Sequence, residues 1–129
     1  MKQLIYSFFL LVLISCAEDH IGQTPTDGTA PSTITAVEVE STPGGAKISY
    51  TIPKETDISY VKGVYYVNNR EHVVRSSIYK NSLEIEGLGT TDPLDVTLYV
   101  VDHSENVSEP FVVTINPSTP IVDLILSSV

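Results

Sequence analysis

Thr42-Pro43-Gly44-Gly45-Ala46-Lys47-Ile48-Ser49-Tyr50-Thr51-Ile52-Pro53 is the stretch that decides the fold. Ala46, Ile48, Tyr50 and Ile52 alternate with Lys47, Ser49 and Thr51, the period of two of an antiparallel strand with one face buried and one in water. The Pro-Gly-Gly ahead of it supplies the positive-φ positions of a hairpin turn, and Pro53 ends the strand. On the far side of that turn Val37 and Val39 alternate with Glu38 and Glu40, so the reading begins with a hairpin.

Further along, short strands recur between turn signals. A third strand spans about Tyr60 to Val67, and here Val61, Gly63, Tyr65 and Val67 compete with Val64 and Tyr66 for the inner face, leaving both assignments open. Asn68-Asn69 is a turn, and Glu71 to Ser76 forms a fourth strand around Val73 and Val74. Leu83 and Ile85, with Glu84 and Glu86 outside, make a fifth. In the sixth, Leu94, Val96, Leu98 and Val100 face inward against Asp95, Thr97, Tyr99 and Val101; Phe111, Val113 and Ile115 mark the last. No segment is long and periodic enough for a helix. Seven strands in about 85 residues predict an all-β sandwich of the immunoglobulin-like kind.

The N-terminus carries an address. Met1 and Lys2 form a short positive region, a largely apolar segment runs from Leu4 to Ile14, and Leu13-Ile14-Ser15-Cys16 closes it with the chain's single cysteine. The segment falls short of the roughly 20 apolar residues of a membrane-spanning helix, and a small residue stands at the cleavage position of a secretory signal. It resembles the lipobox of a bacterial lipoprotein precursor, in which Cys16 becomes the lipidated first residue. A buried thiol or an intermolecular disulfide would be the ordinary alternatives, and the position of the cysteine argues against both. The acyl chains added there would hold the mature domain on its membrane, since each buried methylene contributes about 0.8 kcal/mol. Ala17-Glu18-Asp19-His20 follows, and its Glu18 and Asp19 resemble the acidic export signal that sends lipoproteins of Bacteroidota to the outer face of the outer membrane.

These observations divide the chain into a signal peptide at 1–15, a flexible acidic tether at 16–31 and a sandwich at 32–117. An apolar tail at 118–129 has the character of the start of a further domain. The tether reads Ile-Gly-Gln-Thr-Pro-Thr-Asp-Gly-Thr-Ala-Pro from Ile21, a composition that cannot bury enough surface to offset its ordering entropy. In the tail Ile121, Val122, Leu124, Ile125 and Leu126 crowd the last residues.

Charge and motif content exclude whole classes of function. With 7 Lys and Arg against 16 Asp and Glu, a formal net charge of −9, the chain has no basic stripe for a phosphate backbone, so nucleic acid is not a partner. Its three histidines are scattered, His20 in the tether, His72 at a strand start and His103 in a loop. No nucleophile triad, phosphate-binding glycine loop or metal-spaced Cys/His pair accompanies them, so neither an enzyme nor a cofactor is expected. Asp102-His103-Ser104-Glu105-Asn106 begins like a calcium loop. It lacks the following glycine, however, and has Val113 where a bidentate glutamate belongs, so a polar turn is the better reading and no metal site is expected. Tyr66 and Tyr99, outward on neighbouring strands, are the weak candidates for ligand binding, because flat aromatic rings suit sugars. Cross-strand pairing that stabilises the sheet is the plainer explanation.

The strand pattern resembles the fibronectin type III fold. Tyr50 stands where that family usually has a tryptophan, Leu88 in Leu-Glu-Ile-Glu-Gly-Leu matches the leucine that closes the fifth strand, and Leu94 to Pro110 resembles the sixth strand with its Ser-x-Pro approach to the seventh. Leu94 fills the tyrosine-corner position, so the hydroxyl-to-backbone bond of that motif is absent. From Pro31 to Pro120 the chain is still more similar to the N-terminal fibronectin type III-like domain of unknown function in Bacteroidota surface lipoproteins, through Thr-Pro-Gly-Gly-Ala-Lys-Ile-Ser-Tyr, Val-Thr-Leu-Tyr-Val-Val-Asp and Ser-Glu-Asn-Val-Ser-Glu-Pro. That resemblance implies a non-catalytic module, lipid-anchored on the outer membrane and facing the exterior, associated with glycan capture or uptake and with the outer-membrane proteins that perform it. The alternative is a structural spacer or protein-interaction domain with no sugar binding of its own.

Overall fold

A computed structural model describes residues 28–128 of the chain. The signal peptide, Cys16, Glu18, Asp19 and His20 lie outside them. Seven strands follow in order, β1 (Thr35–Thr42), β2 (Gly45–Thr51), β3 (Ile58–Val67), β4 (Arg70–Ser77), β5 (Ser82–Ile85), β6 (Leu94–Asp102) and β7 (Phe111–Ile115), and a short helix, α1 (Ile121–Ser127), closes the chain. They form two antiparallel sheets, one ordered β1-β2-β5 and the other β4-β3-β6-β7.

Each sheet buries the side that its alternation dictates. Ala46, Ile48 and Tyr50 of β2 and Leu83 and Ile85 of β5 face Val61 and Tyr65 of β3 and Val96, Leu98 and Val100 of β6, in one continuous core. The open question about β3 is resolved in favour of Val61, Gly63 and Tyr65, because Tyr66 on the opposite side is 57% exposed. Gly63 belongs to the inner set for a steric reason. A Cβ on it would come within 3.2 and 3.3 Å of the two Leu83 methyl groups and 3.3 Å of a Val96 methyl, so Leu83 of the apposed sheet and Val96 of the neighbouring strand occupy the space a side chain would need.

Turn chemistry sets the register. Pro43 and Gly44, the latter at φ +69°, make the two-residue link between β1 and β2, with proline fixing the first position and glycine accepting the left-handed second. Gly45 has ordinary φ but no alternative, since a Cβ there would lie 1.7 Å from the Ile85 carbonyl oxygen. Asn68 and Asn69, at φ 51° and 61°, link β3 to β4, the left-handed pair of a type I′ hairpin that matches the strand twist.

Two local features differ from the sequence reading. Val101, expected to face outward, is fully buried, because the loop after β6 folds back over the outer face and Val107 forms a bridge with it. The tail, in which no helix was expected, forms α1; seven residues, under two turns, are too few for a helical period to register in sequence. Nothing in α1 is buried, and its five large apolar side chains are 51 to 67% exposed.

The Tyr50 ring is 4% exposed, while its hydroxyl finds no hydrogen-bond partner of good geometry among the described residues. Burial raises its pKa, and Ser76 nearby offsets part of the rise. Tyr50→Ala should therefore cost about 3 to 5 kcal/mol in denaturant unfolding, the range for emptying an aromatic core site. Tyr50→Phe should stay within about 1 kcal/mol of the parent, because it removes an unbonded oxygen. Deleting residues 121 to 129 should change stability by less than about 1 kcal/mol, since α1 buries no side chain.

Candidate functional site

Chemically distinctive side chains gather on the outer face of the β4-β3-β6-β7 sheet, where β3 and β6 are adjacent. Tyr66 and Tyr99 both lie there, but they do not form one aromatic platform. Lys62, paired with Tyr99 across the strands, holds its ammonium 5.3 Å from the Tyr99 ring centre. Tyr66 donates its hydroxyl to Glu71 Oε2 at 2.8 Å, and that carboxylate, first through the hydrogen bond and then through its charge, pushes the phenol pKa up. Arg75 sits over the Tyr60 ring at 5.5 Å, and Tyr60 donates to Glu105 Oε2 at 3.1 Å. These cation–π and hydrogen-bonded pairs hold the rings in place. Sequence reasoning placed the tyrosines but missed the cations, because the pairing of Lys62 with Tyr99 depends on a β3–β6 register that no local motif sets.

The Asp102 loop is the polar turn that its composition favours. The buried Asp102 carboxylate accepts from the backbone of Ser104 and of Asn106, each at 2.8 Å, and from the Asn106 side-chain amide at 3.0 Å. Burial alone would raise its pKa, but the Asn106 side chain, the two backbone donors and the His103 charge together hold the carboxyl below the usual carboxylate range. Among the described residues no three His, Cys, Asp or Glu side chains gather as a metal site. Ser108, in the Ser-x-Pro approach to β7, accepts from Val100 N at 2.9 Å and donates to Glu109 O at 2.9 Å. It thereby satisfies a β6 amide where β7 has diverged, a role the sequence resemblance marked only as a motif.

His72 stacks on Tyr65, centroids 5.2 Å apart and planes 11° from parallel, and His103 donates its backbone N–H to Asp57 O at 2.9 Å. The two histidines thus sit in separate settings, one on β4 and one in the loop after β6. A recess of about 350 Å³ opens between the edges of the two sheets, lined by Arg75, Ser76, Lys80, Ser82 and Glu84 among others. It offers hydroxyls, cations and one acid, but no histidine or paired carboxylates for general acid–base work. No described helix is long and apolar enough to cross a membrane.

The Asp102 geometry makes a pH prediction. Its folded pKa lies below the unfolded value, so the stabilisation is fully present above the unfolded pKa, near 4, and disappears as pH falls through the folded one. Asp102→Asn should weaken the domain at neutral pH and lose less further stability than the parent between about pH 5 and pH 2 in acid titrations of unfolding. Parallel acid limbs for the two proteins would show that the carboxylate charge is not what holds the turn.

The FN1–FN3 domains of chicken CNTN1 superpose with a TM-score of 0.60 at 16% identity, over 70% of this chain and 33% of that chain. Domains d3–d4 of the rat CD45 extracellular region give 0.57 at 9% identity, over 68% of this chain and 50% of that one. The β-1,2-glucanase from Parabacteroides distasonis gives 0.52 at 21% identity, over 77% of this chain and 15% of that enzyme. At these identities the shared property is the fold, and this chain spans a third of the CNTN1 chain, half of the CD45 chain and a small part of the glucanase. No curated protein matches the sequence. Residues 31–117 match a family described as Domain of unknown function (DUF4959), which is most of the chain and the whole of both sheets; the protein therefore belongs to the DUF4959 family.

Proposed function

We propose that this domain is a non-catalytic spacer and contact module, held on the outer membrane through a lipid on Cys16 and displayed to the exterior. The observation that carries the spacer reading is the placement of the chain's two exits from the sandwich. Thr35, near the start of β1, pairs with Thr51, whereas Ser118, beyond β7, bonds to Thr42 and Gly44 at the opposite end of the same strand. A tether joins one pole and whatever follows Pro120 joins the other, about 25 Å away for an eight-residue strand at about 3.3 Å per residue. The contact reading draws on the outer face of the larger sheet, where Tyr66, Val73 and Val112 are exposed to solvent. Sandwiches of this fold also form minor parts of longer chains, as in the glucanase.

Glycan capture is the second reading, and Tyr66, 57% exposed, favours it. The two separate in a binding assay. The full chain should show no retention on immobilised oligosaccharides that Tyr66→Ala or Tyr99→Ala removes; retention lost in those variants would replace the contact reading with a sugar site. For the anchor, Cys16→Ala should abolish metabolic lipid labelling and membrane retention, because the thiol is the only attachment chemistry in the lipobox. Protease added to intact cells should digest the wild-type domain, and neutral replacements of Glu18 and Asp19 should reduce that exposure. Labelled, membrane-bound Cys16→Ala protein, or wild type protected until lysis, would overturn the anchor or the outward display respectively.

A further inference from the structure

On the outer face of the β4-β3-β6-β7 sheet, cross-strand register sorts the side chains into parallel rows. Val73, Val64, Thr97 and Val112 form a central row across all four strands. One step along the strands lies Arg75, Lys62 and Tyr99; one step the other way lie Glu71 with Tyr66 and Asp95 with Thr114. The face is thus apolar along its midline, cationic on one flank and anionic on the other. Val73 is 43% and Val112 59% exposed, so the ends of the midline meet water. The loop after β6 covers the next row, where Glu105 meets Tyr60 and Val107 meets Val101, and it fixes the limit of the patch on the cationic side.

We infer that this face pairs with the same face of a second copy of the chain, about a two-fold axis lying along the valine row. Such an axis exchanges the two flanks while keeping each strand over its own counterpart. Arg75 then meets Glu71 of the second copy, Lys62 meets Tyr66 of the second copy, and Tyr99 meets Asp95 of the second copy, each contact occurring twice, as an isologous interface requires. The valines meet valines. The other face-to-face two-fold, along the strands, lays β4 over β7 and β3 over β6, so Glu71 meets Thr114 and Asp95 meets Tyr66, and neither carboxylate finds an opposed cation. Sheet-on-sheet packing of this kind, with strands within about 30° of alignment, is how sandwiches themselves are built.

Three rows about 7 Å apart on four strands about 4.8 Å apart bury roughly 400 Å² per copy. That lies in the weak class of interfaces, below about 1,200 Å² in total, so pairing is reversible and rises with local concentration. The inference rests on the reading of the domain as a contact module and names the partner as the chain itself.

The test uses a charge swap on the full chain in detergent, followed by sedimentation. Arg75→Glu or Glu71→Arg alone should weaken self-association by about tenfold, since each reversal acts twice across the axis. The double variant should return it to within about threefold of wild type, because the reversed pair is again complementary. Thermal melts of all three check that the exposed substitutions leave the fold intact. As an independent measurement, Val112→Cys should cross-link to its counterpart on mild oxidation, beyond the background of the parent, whereas Lys47→Cys on the other sheet should not. Wild type that stays monomeric to about 1 mM would overturn the pairing while leaving contact with a different protein open. Association that survives both single reversals, or a double variant no better than the singles, would overturn it by placing the contact elsewhere, as on the exposed apolar residues of α1.

Discussion

Leu83 lies against the bare backbone of Gly63, and on that contact the closeness of the two sheets depends. The chain has one cysteine and no tryptophan, so neither an internal disulfide nor an indole can bridge the layers. Cohesion must come from side chains interdigitating at near-crystalline density. With no Cβ on Gly63, the Leu83 methyls and the Val96 methyl fill that space. Around this point Ile48, Ile85, Val61 and Leu98 lose essentially all contact with water. Gly45 repeats the device at the edge of the core, letting the Ile85 carbonyl approach where no side chain would fit.

Backbone polar groups at the irregular places follow a second rule, that a buried donor must find an acceptor. Where β7 leaves β6, Ser108 takes the Val100 amide; where the sixth strand turns, Asp102 gathers three donors. Side chains thus continue the work of the ladder beyond its last paired residues. With Leu94 at the tyrosine-corner position, the pole of the larger sheet has no phenol hydroxyl to tie it. Leu94 is half-buried opposite Ile115, and packing serves there instead.

The strands were legible because each carries a local period. The alternation from Ala46 to Ile52 gives its own face, and Pro43 with Gly44, or Asn68 with Asn69, carries its turn in two residues. What stayed hidden depends on partners distant in sequence. The inner face of β3 could not be chosen from its own residues, because Gly63 has no side chain to mark a face and the Leu83 that packs on it is distant in sequence, and Val101 is covered by a loop that the strand itself does not announce. The same holds for the candidate site. Tyr66 and Tyr99 were visible as outward aromatics, yet the cation over Tyr99 and the carboxylate on Tyr66 follow from register, which spacing along one strand cannot supply. The role of Ser108 had a local signal, the Ser-x-Pro approach to β7, whose physical content is a hydroxyl aimed at an orphaned amide.

The link between Ser118 and the β1–β2 turn has a mechanical side. Pro43 and Ser118 pair in parallel, and the chain leaves the domain in the same direction in which β1 has run. A pull applied between the two poles would slide these segments lengthwise past each other, so that the Gly44-to-Ser118 and Ser118-to-Thr42 bonds are loaded together rather than peeled one after another. A domain loaded in this way opposes stretching through shear of both bonds at once, whereas the same two bonds in a peeled geometry would open in turn.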